Sequence, residues 1–245
     1  MLMRRVWRRG EPFLSLDRSL IAHLPLFQGL AAAELDEVLS SARSARYPKD
    51  MTVFEQEAEA HSFFVLLAGH VRVVRTTPEG NQVIVRYISE GEIFGVAAAL
   101  GRTTYPASAI AAVDCVTLVW PNAKWGELSS HFPLFGANTY KTVGSRLQES
   151  HTRVVEMSTE QVEQRVAHAL LRLLNQTGRK TESGIEIDFP ISRQDIAEMT
   201  GTTLHTVSRL LSAWEDKGIV VSGRQKVTVS DPHRLMLLSE NRDQK

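Results

Sequence analysis

The segment 191–211 constrains the fold of this chain more than any other stretch. Ser192 can cap a first helix, and Gly201 can adopt the positive φ that a tight turn requires. Ala197 is small enough to let two helices cross closely. The apolar positions that would pack the two helices together are Ile196, Val207 and Leu210. This combination predicts a helix-turn-helix, whose second helix fits the major groove of DNA.

The second helix of this motif is expected to present polar side chains away from the core. These candidate DNA-contacting residues are Thr202, Thr203, His205, Thr206, Ser208 and Arg209. A β-hairpin wing is predicted after it, with Arg224 and Lys226 near the tip, where cations suit phosphate contact. The whole chain balances 28 Lys and Arg against 28 Asp and Glu, so the basic character needed for DNA is local.

Short β-type runs separated by turn residues fill much of the region 20–131. The runs are 53–54, 63–67, 71–74, 83–88, 93–94 and 109–120. Strands this short and this closely spaced indicate a small sandwich or barrel. A helix is predicted over 31–41, and His23 is expected on a further helix that leads into it.

A helix is predicted over 132–157, starting next to Pro133. Its apolar residues recur with a period of 3.5, which suits a seam between two helices. The seam positions are Tyr140, Val143, Leu147, Val154 and Met157. Two interpretations stay open: a homodimer seam, or an amphipathic helix that packs on its own roll.

Together these elements resemble the CRP/FNR superfamily of bacterial transcription regulators. Tyr47–Asp50, Phe63–Leu66, Gly91-Glu92 and Phe94-Gly95 look like its cyclic-nucleotide-binding β-roll, and 193–229 is similar to its winged helix. The resemblance implies an α+β fold with an N-terminal jelly roll, a dimerisation helix and a C-terminal winged helix-turn-helix. The implied boundaries are an N-terminal extension 1–19, a sensor roll 20–131, a dimerisation helix 132–157, a DNA-binding domain 158–235 and a tail 236–245.

The resemblance also implies roles for single residues in DNA binding. Arg209 matches an arginine that bonds both acceptors of guanine, and Arg193 matches one that anchors a phosphate, with Gln194 beside it. His205 stands where the family usually has Glu, and a histidine cannot accept hydrogen bonds from base amino groups as a carboxylate does. The half-site is therefore expected to differ at that base.

The family's effector pocket is implied in the roll. The matching residues are Phe94, Gly95, Val96, Leu100, Tyr105, Pro106 and Ala107. Members that bind cyclic AMP carry Glu at the position of Val96 and Arg-Ser at the positions of Tyr105 and Pro106. The ribose-binding carboxylate and the phosphate-binding cation are both missing, so we expect no cyclic AMP binding.

The apolar wall 96–100 suits a flat cofactor, which makes haem a candidate. The candidate ligands are His23, His61 and Cys115, although His61 and His70 are each expected in a surface turn and Cys115 in the core. One cysteine in the chain excludes an intrachain disulfide and a cysteine-ligated iron–sulfur cluster.

The string 202–209 looks like the nitric-oxide-responsive NnrR branch of denitrification regulators. This likeness implies a homodimeric activator that responds to nitric oxide or low oxygen, binds a near-palindromic operator and contacts RNA polymerase. The alternative is a cyclic-nucleotide-binding signalling module whose C-terminal domain binds protein. An enzyme is not indicated, because the sequence has no phosphate loop, HExxH or GxSxG motif.

The location of the protein is inferred from two absences in the sequence. No apolar run is long enough to span a membrane, and the basic segment 1–10 is not followed by the apolar core of a signal peptide. We therefore expect a cytoplasmic protein with no membrane partner.

Overall fold

The computed structural model describes residues 17–241, in which a β-roll, a long helix and a winged domain follow one another. The N-terminal extension predicted over 1–19 lies almost wholly outside the described residues. The strands of the roll are β1 Arg43–Tyr47, β2 Thr52–Phe54, β3 Ser62–Ala68, β4 Val71–Thr76, β5 Gln82–Ile88, β6 Ile93–Phe94, β7 Ser108–Ala111 and β8 Cys115–Pro121. They form two antiparallel sheets, with strand orders β1-β8-β3-β6 and β2-β7-β4-β5.

The roll follows the predicted sandwich with two differences. The run 109–120 is two strands, because the chain bends at 112–114 and β7 and β8 belong to different sheets. Strand β1 was not predicted, because its sequence Arg-Ser-Ala-Arg-Tyr is mostly polar and lies at the edge of a sheet. Asp50 and Glu57 both adopt left-handed backbone conformations, with φ of 65° and 63°.

Two apolar layers stabilise the roll. One lies between the sheets, and the other lies between β3, β8 and the helices on their outer face. In the outer layer Phe63 stacks on Trp120 at 5.4 Å between ring centroids, and the indole N–H of Trp120 donates to the carbonyl of Val38 at 2.9 Å. That bond ties α1, Ala32–Ser40, to the sheet beneath it.

The N-terminal segment is more irregular than its apolar residues indicated. Arg18–Leu20 and Pro25–Phe27 are short 3-10 turns, and His23 lies between them in a turn with an exposed side chain. The prediction of a helix around His23 is therefore wrong. Pro25 starts the second 3-10 turn and interrupts the helical pattern, because proline has no N–H to donate.

The long helix is α3, Pro133–Thr159, which follows α2, Trp125–His131. Pro133 occupies the first helical turn, as predicted. The helix extends two residues beyond the predicted end at 157, and the next helix begins after Gln161. The backbone N–H of Gln161, the N-cap residue of that helix, donates to the side chain of Gln164 at 3.1 Å.

The winged domain surrounds its own apolar core. Its elements are α4 Val162–Thr177, β9 Gly178–Thr181, β10 Gly184–Ile187, α5 Arg193–Thr200, α6 Leu204–Asp216, β11 Val220–Gly223, β12 Lys226–Val229 and α7 Pro232–Ser239. The segment 178–184 contains the edge strand β9, which pairs with β10. The last helix continues to Ser239, four residues beyond the predicted domain end at 235, and packs on α4.

The roll and the winged domain share an apolar contact. The rings of Tyr87 and His70 lie 4.6 Å and 4.5 Å from the ring of Phe189. His70 therefore belongs to this contact and not to an open surface turn, which corrects the prediction. Arg72 on β4 reaches Asp195 on α5, with 3.4 Å between Nη1 and Oδ1.

Candidate functional site

The helix-turn-helix is built from local capping bonds. Ser192 accepts the backbone N–H of Asp195 at 3.0 Å, and the carboxylate of Asp195 accepts the N–H of Ser192 at 2.7 Å. Gly201 ends α5 in the left-handed conformation, with φ of 61°. A Cβ at this position would lie 2.6 Å from the methyl group of Met157. The left-handed conformation therefore favours glycine at this turn, whereas the exposed end of Met157 could move to make room for a side chain.

The second helix begins later than the sequence indicated. Thr202 and Thr203 lie in the turn, and α6 starts at Leu204. Thr203 caps the helix, since its hydroxyl accepts the backbone N–H of Thr206 at 3.1 Å. Thr203 and Thr206 also bond each other at 3.0 Å, so these two hydroxyls are partly committed to the cap.

The outer face of α6 carries the side chains that remain open. His205 and Arg209 are exposed and one helical turn apart, and Ser208 is half-buried beside them. The core side of the same helix is Val207, Leu211 and Trp214, which are fully buried. The division of this helix into a polar outer face and an apolar core face is as predicted.

Leu204 is a candidate contact that the sequence reasoning missed. Its side chain is 48% exposed, although leucine at the start of a helix usually packs inward. Helical spacing gave no signal for this exposure, because Leu204 lies three and seven residues before Val207 and Leu211 and so belongs to the same stripe as these buried residues. An exposed leucine in the first turn can contact the methyl group of thymine.

Some of the remaining predicted DNA-contacting side chains already bond other residues of the protein, and others do not. Arg193 donates to the hydroxyl of Ser222 on the wing at 2.9 Å, and Gln194 donates to Glu198 at 2.9 Å. Arg224 is exposed at the wing tip. The ammonium of Lys226 lies 2.7 Å from Glu186.

The ion pair at Glu186 changes the role of Lys226. Hydrogen bonds from Lys226 and from Arg179, at 3.0 Å, hold the pKa of Glu186 below its ordinary value. Lys226 therefore already has a carboxylate partner within the protein, although its side chain is 60% exposed. Arg224 is the stronger phosphate-contact candidate of the two wing cations.

The predicted effector pocket is filled by aromatic side chains. Phe54 stacks on Tyr105 at 3.8 Å and on Phe64 at 5.6 Å, and Phe64 lies 5.0 Å from Phe94. A Cβ at Gly95 would lie 2.9 Å from the ring of Phe64. The interior at this point has the close packing of a core.

The lining predicted for that pocket is only partly assembled. Val96 and Ala107 are buried, whereas Leu100 and Pro106 are exposed. The hydroxyl of Tyr105 donates to the carbonyl of Ser62 at 2.6 Å, and burial raises the pKa of this phenol. Tyr105 is therefore a structural residue of the roll.

The three haem-ligand candidates do not fit a haem site. His23 is exposed, and the side chain of His61 is 75% exposed and pairs with Glu59. Cys115 is buried, and its sulfur lies 3.2 Å from the carbonyl oxygens of His70 and Val113. Burial raises the pKa of its thiol, which disfavours the thiolate that would bind iron.

The predicted seam on α3 is largely exposed. Tyr140, Leu147, Val154 and Met157 have exposed fractions between 45% and 64%. Val143 differs, because it is half-buried and packs on the core beneath α3. Exposed apolar residues over several turns of one helix are typical of a surface that a partner covers.

A sensor-type roll joined by a long helix to a winged helix-turn-helix defines a DNA-binding regulator. A Crp-like helix-turn-helix domain model matches residues 164–238, and a cyclic nucleotide-binding domain model matches residues 44–131. The chain is 32% identical over 207 residues to the cyclic AMP receptor protein of Thermus thermophilus, covering 84% of this chain and 93% of the relative. The chain belongs to the CRP/FNR family of transcription regulators, which are not enzymes.

Other relatives and solved structures agree with this assignment. The nitrogen fixation regulation protein FixK of Bradyrhizobium diazoefficiens is 28% identical over 214 residues, covering 86% of this chain and 87% of the relative. The structure of FixK2 from Bradyrhizobium japonicum superimposes with a TM-score of 0.72 at 22% identity, covering 80% of this chain and 96% of that one. The helix-turn-helix match sets aside the alternative of a C-terminal protein-binding module. Among the described residues, no helix is long and apolar enough to span a membrane.

Proposed function

We propose that the protein is a homodimeric, sequence-specific transcription activator whose α6 reads the major groove. The observation that carries this proposal is the open polar face of α6, with Arg209 and His205 exposed one turn apart. Arg209 has no partner among the described residues, so its guanidinium is available for the two acceptors of guanine. Arg193 lies at the start of α5 and bonds the wing, and Arg224 lies at the wing tip. Both would contact DNA phosphates beside the bases that α6 reads.

The dimer is proposed from the exposed seam on α3. Pairing two α3 helices would bury Tyr140, Leu147, Val154 and Met157 against their copies. A two-fold axis would then place the two α6 helices on a near-palindromic operator. Leu147→Asp should convert the dimer to monomer in sedimentation velocity, whereas Lys49→Asp on the distant roll surface should leave it dimeric. A wild-type protein that sediments as a monomer would contradict the proposal.

We propose activation, and not repression, because one similar protein is a transcriptional activator. The transcriptional activatory protein AadR of Rhodopseudomonas palustris is 26% identical over 230 residues, covering 94% of this chain and 95% of the relative. An activator of this architecture would act in the cytoplasm and contact RNA polymerase beside its operator. Transcription from an operator-bearing template should therefore rise when the protein is added to RNA polymerase in vitro, and a fall would contradict activation.

The proposed signal is nitric oxide or low oxygen, and the proposed targets are denitrification-type genes. The string 202–209 and the likeness to the nitrogen fixation regulator FixK support this. Cyclic AMP is not the proposed signal, because Val96 and Tyr105 replace the carboxylate and the cation that it requires and aromatic rings fill the roll. The proposal uses no step through haem, since the candidate ligands do not fit one.

The test is operator affinity, measured by fluorescence anisotropy of the full chain in anaerobic buffer. Nitric oxide or air should change the affinity by at least about tenfold, a shift of about 1.4 kcal/mol, and cyclic AMP should leave it unchanged. Haem titration should give no saturating Soret band at one haem per chain. A response to cyclic AMP alone, or a saturating haem band, would contradict this assignment while leaving the DNA-binding function standing.

A further inference from the structure

A cavity lies where the roll, α3 and α4 meet. None of the residues predicted for the effector pocket lines it. Its volume is about 380 Å³, within the range of small-molecule sites. Four arginines line it: Arg86 on β5, Arg146 and Arg153 on α3, and Arg172 on α4. The only carboxylates in its described lining are Glu92 and Glu149.

The positive charge in this cavity is incompletely balanced. Arg86 and Arg146 donate to the same oxygen, Glu92 Oε2, at 2.8 Å and 3.0 Å. Glu149 is more than half exposed, and its nearest guanidinium distance is 3.7 Å, to Arg86. Two guanidiniums therefore compete for one half-buried carboxylate.

The third guanidinium on this wall has no carboxylate partner among the described residues. Arg153 donates to carbonyl oxygens of Val85 and Met199, the latter at 2.8 Å. Carbonyl groups satisfy its N–H groups without cancelling its charge. Arg172 differs, because Glu156 accepts from it with both oxygens at 2.7 Å and 2.8 Å. The surplus charge is thus centred on Arg86, Arg146 and Arg153.

Two N–H groups of this cluster also lack hydrogen bonds. Arg86 Nη1 and Arg146 Nε are buried and have no acceptor in the described part of the chain. Burial and the neighbouring charge of Arg86 lower the pKa of Arg146 to about 10. A buried N–H group without an acceptor costs free energy. A ligand whose oxygen atoms accept from these two groups would therefore stabilise the cluster.

We propose that this junction cavity binds a small anion with at least two negative charges, held by Arg86, Arg146 and Arg153. Phosphate and dicarboxylate groups share the required chemistry, because both offer paired oxygens to a guanidinium fork. The amides of Asn175 and Gln176 on α4 line the same space and can bond neutral parts of the ligand.

The position of the cavity gives an occupant influence over the DNA-binding domain. Its wall includes β5 of the roll, α3, α4 and Met199 on α5. A ligand that contacts all of these would favour one position of the helix-turn-helix relative to the roll. This inference holds whichever gas or redox signal the protein also responds to.

The test is calorimetric titration of the full chain with inorganic pyrophosphate and, separately, with glutarate, at an ionic strength fixed with KCl. One of the two should bind saturably at one molecule per chain, which identifies the preferred group. Arg153→Gln should weaken that binding at least about tenfold, since it removes a charged donor. Arg43→Gln, on the distant strand β1, is the matched control and should leave it unchanged.

Two further variants separate this site from the DNA-binding surface and from a folding defect. Arg209→Ala should leave anion binding unchanged, because α6 lies outside the cavity. Glu149→Gln should tighten binding about threefold or more, since it removes a repelling charge without deleting a buried group. No saturable binding of either probe, binding lost in Arg209→Ala but kept in Arg153→Gln, or weaker binding in Glu149→Gln would overturn the proposal.

Discussion

The interior of the roll and the outer face of α6 show opposite uses of side-chain chemistry. In the roll, the ring of Phe54 lies within 6.1 Å of the rings of Phe64, Phe94 and Tyr105, where the effector pocket was predicted. On α6, His205 and Arg209 are exposed and uncommitted. The outer face of α6 thus suits DNA recognition, whereas the interior of the roll is a packed core.

The roll has the fold of a cyclic-nucleotide-binding domain without the groups expected to bind cyclic AMP. The elements of the roll are those of the family, but the groups that would bind cyclic AMP are replaced by Val96, Tyr105 and Pro106. Charge is concentrated instead at the junction, around Arg86, Arg146 and Arg153. Substitutions in the roll should therefore change stability, and substitutions on α6 should change DNA recognition without unfolding the protein.

The largest expected effect is on stability, from Phe64→Ala in the aromatic cluster. Phe64 is buried and stacks on two rings, so truncation should cost about 3–5 kcal/mol of the free energy of unfolding. Urea unfolding of the purified protein measures this loss. Val83→Ala, at a partly exposed position on the same roll, is the control and should stay within about 1 kcal/mol. An equal loss in both would show that the cluster is not a packed core.

The next effect is on recognition, from Arg209→Ala. Discrimination at the guanine of the half-site should fall by about 1–3 kcal/mol, while the unfolding free energy changes by less than about 0.5 kcal/mol. Competition anisotropy against base-substituted operators measures the discrimination. Arg224→Ala is the matched control and should weaken all sequences about equally, since phosphate contacts carry no base information. Full guanine preference in Arg209→Ala would remove the residue from the reading surface.

A smaller effect is expected at Leu204, which would contact a thymine methyl group. Replacing thymine by uracil in the operator should cost wild-type protein about 1 kcal/mol at one base, the value of a buried methyl group. Leu204→Ala should show no such penalty. An equal uracil penalty in both proteins would place Leu204 away from the bases.

The smallest effect is a pH dependence at the contact between roll and winged domain. Burial lowers the pKa of His70, against the opposing charges of Asp188 and Glu92. A histidine with a lowered folded pKa binds its proton more readily in the unfolded chain. Stability therefore rises with pH until the unfolded value of about 6.5 is passed, and acidification below that value weakens the contact. His70→Gln should show a flatter unfolding free energy between pH 5 and 7, and an unchanged slope would exclude this role.

The elements that the sequence predicted well are those fixed by neighbours along the chain. The cap at Ser192, the left-handed Gly201 and the spacing of α6 are local, and each is found as expected. Strands β1 and β9 were missed because edge strands carry polar residues and are recognised only through their partners. The exposed positions of Leu100 and Pro106 follow from a turn whose direction depends on the packed roll.

The polar junction could not be predicted at all. Arg86, Glu92 and Arg146 are brought together by the docking of α3 on β5, and Arg153 reaches Met199 across 46 positions. No local pattern in the sequence indicates what Arg146 and Arg153 contact. The role of His70 against Phe189 likewise depends on how two separate domains dock.

The most direct test of the central claim is selection of binding sites by the full-length protein from random double-stranded DNA. We expect one enriched motif with two-fold symmetry, half-sites about 10–11 base pairs apart from centre to centre, and a guanine whose enrichment disappears with Arg209→Ala. Enrichment of an unsymmetrical site, or of no sequence above the starting pool, would contradict a dimeric regulator that reads DNA through α6.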